Sequence, residues 1–173
     1  MNTPFQSSRF EDEDVDGNNE MLTFQLGSAA FAVNVRQVRE VLDHKPIQRM
    51  ANAPASLLGM IDVRGVGVPV VDLKRRLAMP PSEDREVGPE TRIVVLEFET
   101  DEHLHTLAVI ADAVHEVADM SDQTLEAPPH VGEAWSNDFV QGLGRRGDSF
   151  LTLLKVEKLF GASDRALLMA QAA

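Results

Sequence analysis

Cysteine is absent from this 173-residue chain. That excludes a disulfide framework and a thiolate metal site, and makes the reducing cytosol the default compartment. Long apolar runs are absent too. No stretch approaches the ~20 residues needed to cross a bilayer, and the N-terminus has neither the basic nor the apolar part of a secretory signal, so a soluble protein is expected. Positive charge is scarce: 16 Lys and Arg stand against 28 Asp and Glu, for a net charge of −12. An acidic surface of that size repels phosphate backbones, which argues against nucleic-acid binding unless Lys74 to Arg76, Arg145 and Arg146 converge. The acid is concentrated at the start. Residues 1–20 set Arg9 against Glu11, Asp12, Glu13, Asp14, Asp16 and Glu20, a net −5 that leaves −7 for the rest. With Gly17-Asn18-Asn19 inside it, this leader reads as a disordered acidic tail.

Catalytic signatures are also missing. No serine sits in a nucleophile elbow, no glycine loop opens onto a helix with phosphate-binding spacing, and no H-E-x-x-H occurs. His44, His115 and His130 are scattered. His103 and His105, beside Asp101 and Glu102, put two imidazoles on one face of a strand, which leaves a metal-dependent hydrolase as the enzymatic alternative. Arg146-Gly147-Asp148 matches a short adhesion tripeptide and reads as a chance match in a hairpin turn.

What is present is dense strand patterning. Gly59 to Leu77 combines Met60, Ile61 and Val63, a turn at Arg64-Gly65, then Val66, Val68, Val70 and Val71, and finally the basic Lys74-Arg75-Arg76. Pro69 cannot donate a ladder hydrogen bond, so the second run is expected to meet an edge or a bulge there. Upstream, Met21–Leu26 and Ala30–Val35 read as a hairpin around Gly27-Ser28-Ala29, with Phe24, Leu26, Phe31 and Val33 inward. Val38-Arg39-Glu40-Val41-Leu42-Asp43 follows. Pro46 and Pro54 mark a loop, and Pro80 to Pro89 a polar linker.

The chain then repeats itself. Arg92–Phe98 and Leu104–Ile110 form a second hairpin, and Val114-His115-Glu116-Val117-Ala118-Asp119 restates the V-x-E-V-x-D pattern. Gly142 to Gly147, Phe150–Leu154 and Val156–Phe160 echo the Gly59 block. Two such halves imply two small β-barrels. Ser163 is a candidate N-cap for a final helix over 163–173.

These residues resemble the CheW-type coupling proteins of bacterial chemosensory arrays, over Thr23 to about Phe160. The resemblance rests on Phe24-x-Leu26-Gly27, Val38-Arg39-Glu40-Val41-Leu42, Pro54, Gly59-x-x-x-x-Arg64-Gly65-x-x-x-Pro69-Val70-Val71-Asp72-Leu73 and Thr91 to Val95. Ala111-Asp112-Ala113-Val114-x-Glu116-Val117, Pro128-Pro129 and Gly142-Leu143-Gly144 follow in order. Asp62 and Val63 stand where the family usually has Asn and Leu. The family implies a mainly β fold of two intertwined five-stranded SH3-like β-barrels with a few short helices. One domain over 21–162 is then expected, with a first barrel at about 21–79, a second at about 90–162, and strands exchanged between them. The resemblance further implies no catalysis, no cofactor and no metal. Its implied partners are a chemoreceptor cytoplasmic tip, the regulatory domain of the histidine kinase CheA, and other CheW-like proteins in rings. Localisation would be cytoplasmic, at membrane-associated receptor arrays and without membrane insertion.

Receptor tips are helical hairpins, so a partner needs a groove for an amphipathic helix face. Val38, Val114 and Val117 are candidates for its apolar floor, Glu40 and Arg64 for its charged rim, and Gly59 belongs to the same receptor-binding set. The plain alternatives are core packing for the valines and an internal bracing ion pair for Glu40 and Arg64. Candidates for an apolar kinase contact are Met60, Ile61, Val68, Leu143 and Phe150, with core packing again the alternative.

Overall fold

Hairpins set the architecture. In a computed structural model, which describes residues 19–77, 79, 87–100, 103–122, 124–126 and 139–159, β1 (Glu20–Leu26) and β2 (Ala29–Asn34) pair antiparallel with Phe24 opposite Phe31. A 3-10 turn at Val35–Gln37, capped by the Asn34 side chain on the Arg36 amide, leads into β3 (Val38–Asp43). The second hairpin is β4 (Leu57–Val63) and β5 (Val66–Val71). Its two-residue turn places Arg64 at φ 53° and Gly65 at φ 83°, the twist that suits a tight hairpin. Asp62 Oδ1 accepts from the Gly65 amide at 2.7 Å, a contact that an Asn side chain could also make. Asp72 caps the single turn α1 (Leu73–Arg76) through the Arg75 amide. Beyond it come β6 (Arg92–Thr100), β7 (His103–Ala111), β8 (Ala113–Asp119), β9 (Val140–Arg146), β10 (Ser149–Leu154) and a 3-10 turn at Val156–Lys158.

The strands assemble into two five-stranded sheets, ordered β8-β1-β2-β10-β9 and β3-β6-β7-β5-β4. Exchanging β1 with β6, β2 with β7, β3 with β8, β4 with β9 and β5 with β10 turns one order into the other, so the duplication is a pseudo-two-fold. The parallel joints match as well: Leu153 lies opposite Ala32, and Val70 opposite Ala108. So do two isolated bridges, Gln48 with Met60 and Glu126 with Leu143. The fold is thus mainly β and intertwined. From the stretch 21–79, β1 and β2 join the sheet of β8 to β10, while from 90–162, β6 and β7 join that of β3 to β5. The acidic leader to Asn18 and the expected helix over 163–173 lie outside the described residues.

Three buried clusters hold this arrangement. Ile61, Val63, Val68, Val70, Ile93 and Val95 fill one sheet's own core, and Met21, Ala32, Leu125, Leu151 and Leu153 fill the other's. The largest cluster is shared: Leu22, Phe24, Leu26, Phe31 and Val33 from one sheet meet Val94, Leu96, Phe98, Leu107 and Val109 from the other. All four residues expected to point inward, Phe24, Leu26, Phe31 and Val33, are buried there. Strands apolar on both faces are therefore buried on both faces. Pro69 sits in an inner strand, not at an edge. The ladder from β5 to β7 covers only Val70 and Val71, so the missing N–H falls where that ladder has not begun.

Candidate functional site

Two edge strands carry the candidate docking face. β3 ends one sheet and β8 the other, and both slip register at the same place: β3 between Val38 and Glu40, β8 against the Leu22 to Phe24 step of β1. A slip re-aims side chains and leaves backbone groups off the ladder. Glu40 stands just past the slip of β3 and Glu116 within that of β8. Glu40 Oε2 lies 3.3 Å from Arg64 Nη2. Glu116 takes Arg146 in two contacts, Nε at 3.0 Å and Nη2 at 3.1 Å.

Each pair spans a seam. Arg64 follows β4 and Arg146 ends β9, and β4 and β9 are the opposite edges of the sheets that β3 and β8 begin. The ion pairs therefore join the two free edges of each sheet, where a barrel closes. A second pair of contacts is also duplicated: Arg39 meets Glu97 at 3.2 Å, and His115 Nε2 meets Gln25 Oε1 at 3.2 Å. Electrostatically the seams differ. The Arg146 guanidinium holds the Glu116 carboxyl below its ordinary value, and Glu116 in turn raises Arg146. The Arg64 side chain is 78% exposed while that of Glu40 is 16% exposed, so Arg64 keeps most of its donors toward solvent.

The predicted receptor residues divide by position. Val38 and Val114 are half-buried and pack on the shared core from opposite sheets, whereas Val117 is 47% exposed. Gly59 is a correction. It is buried at φ 153°, where an added Cβ would collide with the Gln48 carbonyl oxygen and lie 2.8 Å from Ile47 Cγ2. It makes room for the Gln48–Met60 bridge and presents no side chain to a partner. Among the kinase candidates, Ile61 and Val68 are 4% and 2% exposed and sit inside a sheet core. Both faces of that hairpin are apolar, and these two took the inner one. Met60 and Leu143 are half-buried at equivalent bridges. Phe150 is 54% exposed, with the Arg145 guanidinium 4.8 Å from its ring centre. Phe150 and Arg146 also line an open cleft of about 470 Å³ with Gln25, Ser28 and Ser149.

Sequence reasoning missed Val41, which is exposed like its twin Val117, and the whole Glu116–Arg146 pair. The repeated V-x-E-V signal pointed to both. The basic residues do not act as one cluster: Lys74 pairs with Asp112 at 2.9 Å, Arg146 with Glu116, and Arg145 covers Phe150. His105 is engaged by Thr100 Oγ1 at 2.7 Å and by the Phe98 ring. Among the described residues no group of three metal-ligating side chains forms, and Asp101 and Glu102 lie outside them. No helix among them is long and apolar enough to cross a membrane.

The family model of the CheW-like domain matches residues 20–164. The chain belongs to the CheW-like domain family. Relatives of this CheW-like chain include a probable chemotaxis protein CheW of Rhizobium etli, 27% identical over 86% of the chain and 91% of the relative. The chemotaxis protein CheW of Klebsiella aerogenes is 27% identical over 86% and 85%. Among solved structures, the scaffolding protein TtCheW from Thermoanaerobacter tengcongensis superposes with a TM-score of 0.70 at 26% identity, covering 85% of this chain and 95% of that one. The two intertwined five-stranded sheets are thus the CheW fold, and the chain is a CheW-like chemotaxis scaffold.

Proposed function

We propose that this chain is a non-catalytic adaptor that couples chemoreceptor signalling tips to the regulatory domain of the histidine kinase CheA. One observation carries the reading: each edge strand presents a seam ion pair beside an exposed apolar side chain, Glu40–Arg64 with Val41 and Glu116–Arg146 with Val117. An amphipathic helix offers the complementary pattern, an apolar stripe with charged flanks. On this reading Val38, Val114 and Val117 floor the receptor contact, and Glu40 and Arg64 set its orientation at the rim. Met60, Leu143 and Phe150 supply an apolar kinase contact at the equivalent β4 and β9–β10 hairpin positions. The pseudo-two-fold gives two similar ends, which permits rings of alternating homologous partners. The adaptor works in the cytoplasm, is drawn to membrane-associated arrays through its partners, and needs no cofactor.

The test is reconstitution from purified parts: this protein, a CheA regulatory domain and a receptor signalling-tip fragment. The expected result is a ternary complex in which both partners bind at once. Failure of the two to bind together, with each binding alone, overturns the coupling role.

A further inference from the structure

Glu116 is held at both ends. Its backbone carbonyl accepts a hydrogen bond from the Thr23 hydroxyl at 2.6 Å, at the place where the ladder between β1 and β8 slips. Thr23 is fully buried, so the donor side of this contact is shielded from water, and a hydrogen bond to a neutral carbonyl is insensitive to salt screening. The Glu116 carboxylate meanwhile takes Arg146 bidentately from the opposite edge, and the neighbouring His115 is bonded to Gln25. Val114 and Val117 flank this pinned point.

The pseudo-equivalent strand lacks one of these fastenings. β3 slips at the same step, Arg39 replaces His115, and Arg64 replaces Arg146, but the residue opposite Glu40 is Val95, which has no hydroxyl. β3 is fixed by the ion pairs Arg39–Glu97, Glu40–Arg64 and Asp43–Arg92, each with at least one exposed partner, and such pairs, like Glu116–Arg146 on β8, weaken as salt rises.

We infer that Thr23 and Arg146 are positioning residues that make β8 the rigid half of the docking face, and that β3 is the half that adjusts to the partner. The consequence for binding rests on the coupling role proposed above, whereas the difference in rigidity belongs to the chain alone.

Amide hydrogen exchange on the full chain, at ~0.05 M and ~0.5 M salt, reads rigidity directly. Higher salt should speed exchange several-fold more in β3 than in β8, because screening loosens the exposed Glu116–Arg146 pair too but not the hydrogen bond from the buried Thr23 hydroxyl. Thr23→Val removes the donor and should make β8 exchange about tenfold faster, the scale of one lost hydrogen bond. Thr23→Ser keeps the hydroxyl and should restore protection. Equal salt response of β3 and β8, or identical exchange of the Val and Ser variants, overturns the clamp. A receptor signalling-tip fragment should then bind Thr23→Val and Arg146→Gln about three- to tenfold more weakly, and Thr23→Ser normally. Faster β8 exchange with unchanged affinity overturns the positioning role. A fragment that fails to bind the unaltered protein overturns the coupling role instead, and the exchange comparison still decides the clamp.

Discussion

Glu40 and Arg64 lie 3.3 Å apart although they sit at opposite edges of one sheet. Glu116 and Arg146 do the same in the other sheet. Exposed ion pairs contribute little stability by themselves, on the order of 0–1 kcal/mol, so the significance of these two is geometric. They mark the seams where each sheet meets itself, and a partner that binds along β3 or β8 meets the charges there.

Arg64→Ala should therefore change folding stability by less than ~1 kcal/mol while weakening receptor or kinase coupling by ~1–3 kcal/mol. Denaturant midpoints and titration calorimetry measure the two quantities side by side. A stability loss of several kcal/mol with coupling intact would assign the pair to bracing alone.

Phe24 is fully buried in the core that both sheets share. Phe24→Ala should cost ~3–5 kcal/mol, and amides of β1 and β6 should lose protection together, because both strands pack on the cluster that the two sheets share. Protection lost in β1 but retained in β6 would mean that the sheets are independent units.

Gly59→Ala should cost about 2–3 kcal/mol through backbone strain and the collision with Gln48. Gly67→Ala should cost less than ~1 kcal/mol, since its new methyl meets only the flexible end of Met60 at 3.2 Å. Urea unfolding of the two variants checks the contrast, and equal midpoints would refute it.

Kinase binding should persist at ~0.5 M salt, where screening removes mainly exposed charge pairs, and should be lost in Leu143→Glu or Phe150→Glu. Binding that vanishes in salt yet tolerates either charge would sink the apolar contact without touching the receptor face.

The Glu116 carboxyl is depressed by its hydrogen bonds to Arg146. Its stabilising contribution is present above the ordinary glutamate value of 4.5 and is lost as pH falls through the lower folded value. Thermal melts of the parent should therefore decline more steeply below pH ~4.5 than those of Arg146→Gln. Parallel pH profiles would count against the pairing in solution.

Much of this architecture is legible in residue order. Alternation and turn chemistry place the first hairpin within a residue or so, Met21–Leu26 against Glu20–Leu26, because side-chain period and turn residues are local properties. The recurrence of V-x-E-V-x-D marks the duplication, and its equivalent strands do occupy equivalent places in the two sheets. What the two sequence halves share, however, is not what they pair with. Residue order suggests two consecutive barrels, and the crossed assignment of β1, β2, β6 and β7 emerges only when residues as distant as Thr23 and Glu116 meet.

The docking face shows the same division. Types and spacings single out Glu40, Arg64, Val114 and Val117, since a repeated acid between valines on an edge-like strand is visible without coordinates. Which apolar residues face water is not visible, because Ile61, Val68 and Phe150 all lie in apolar hairpin strands and only packing sends the first two into a core and leaves Phe150 outside. Nor does spacing show that Arg146 lies across a seam from Glu116. That distance depends on how far each sheet curls, which the filling of three cores decides together.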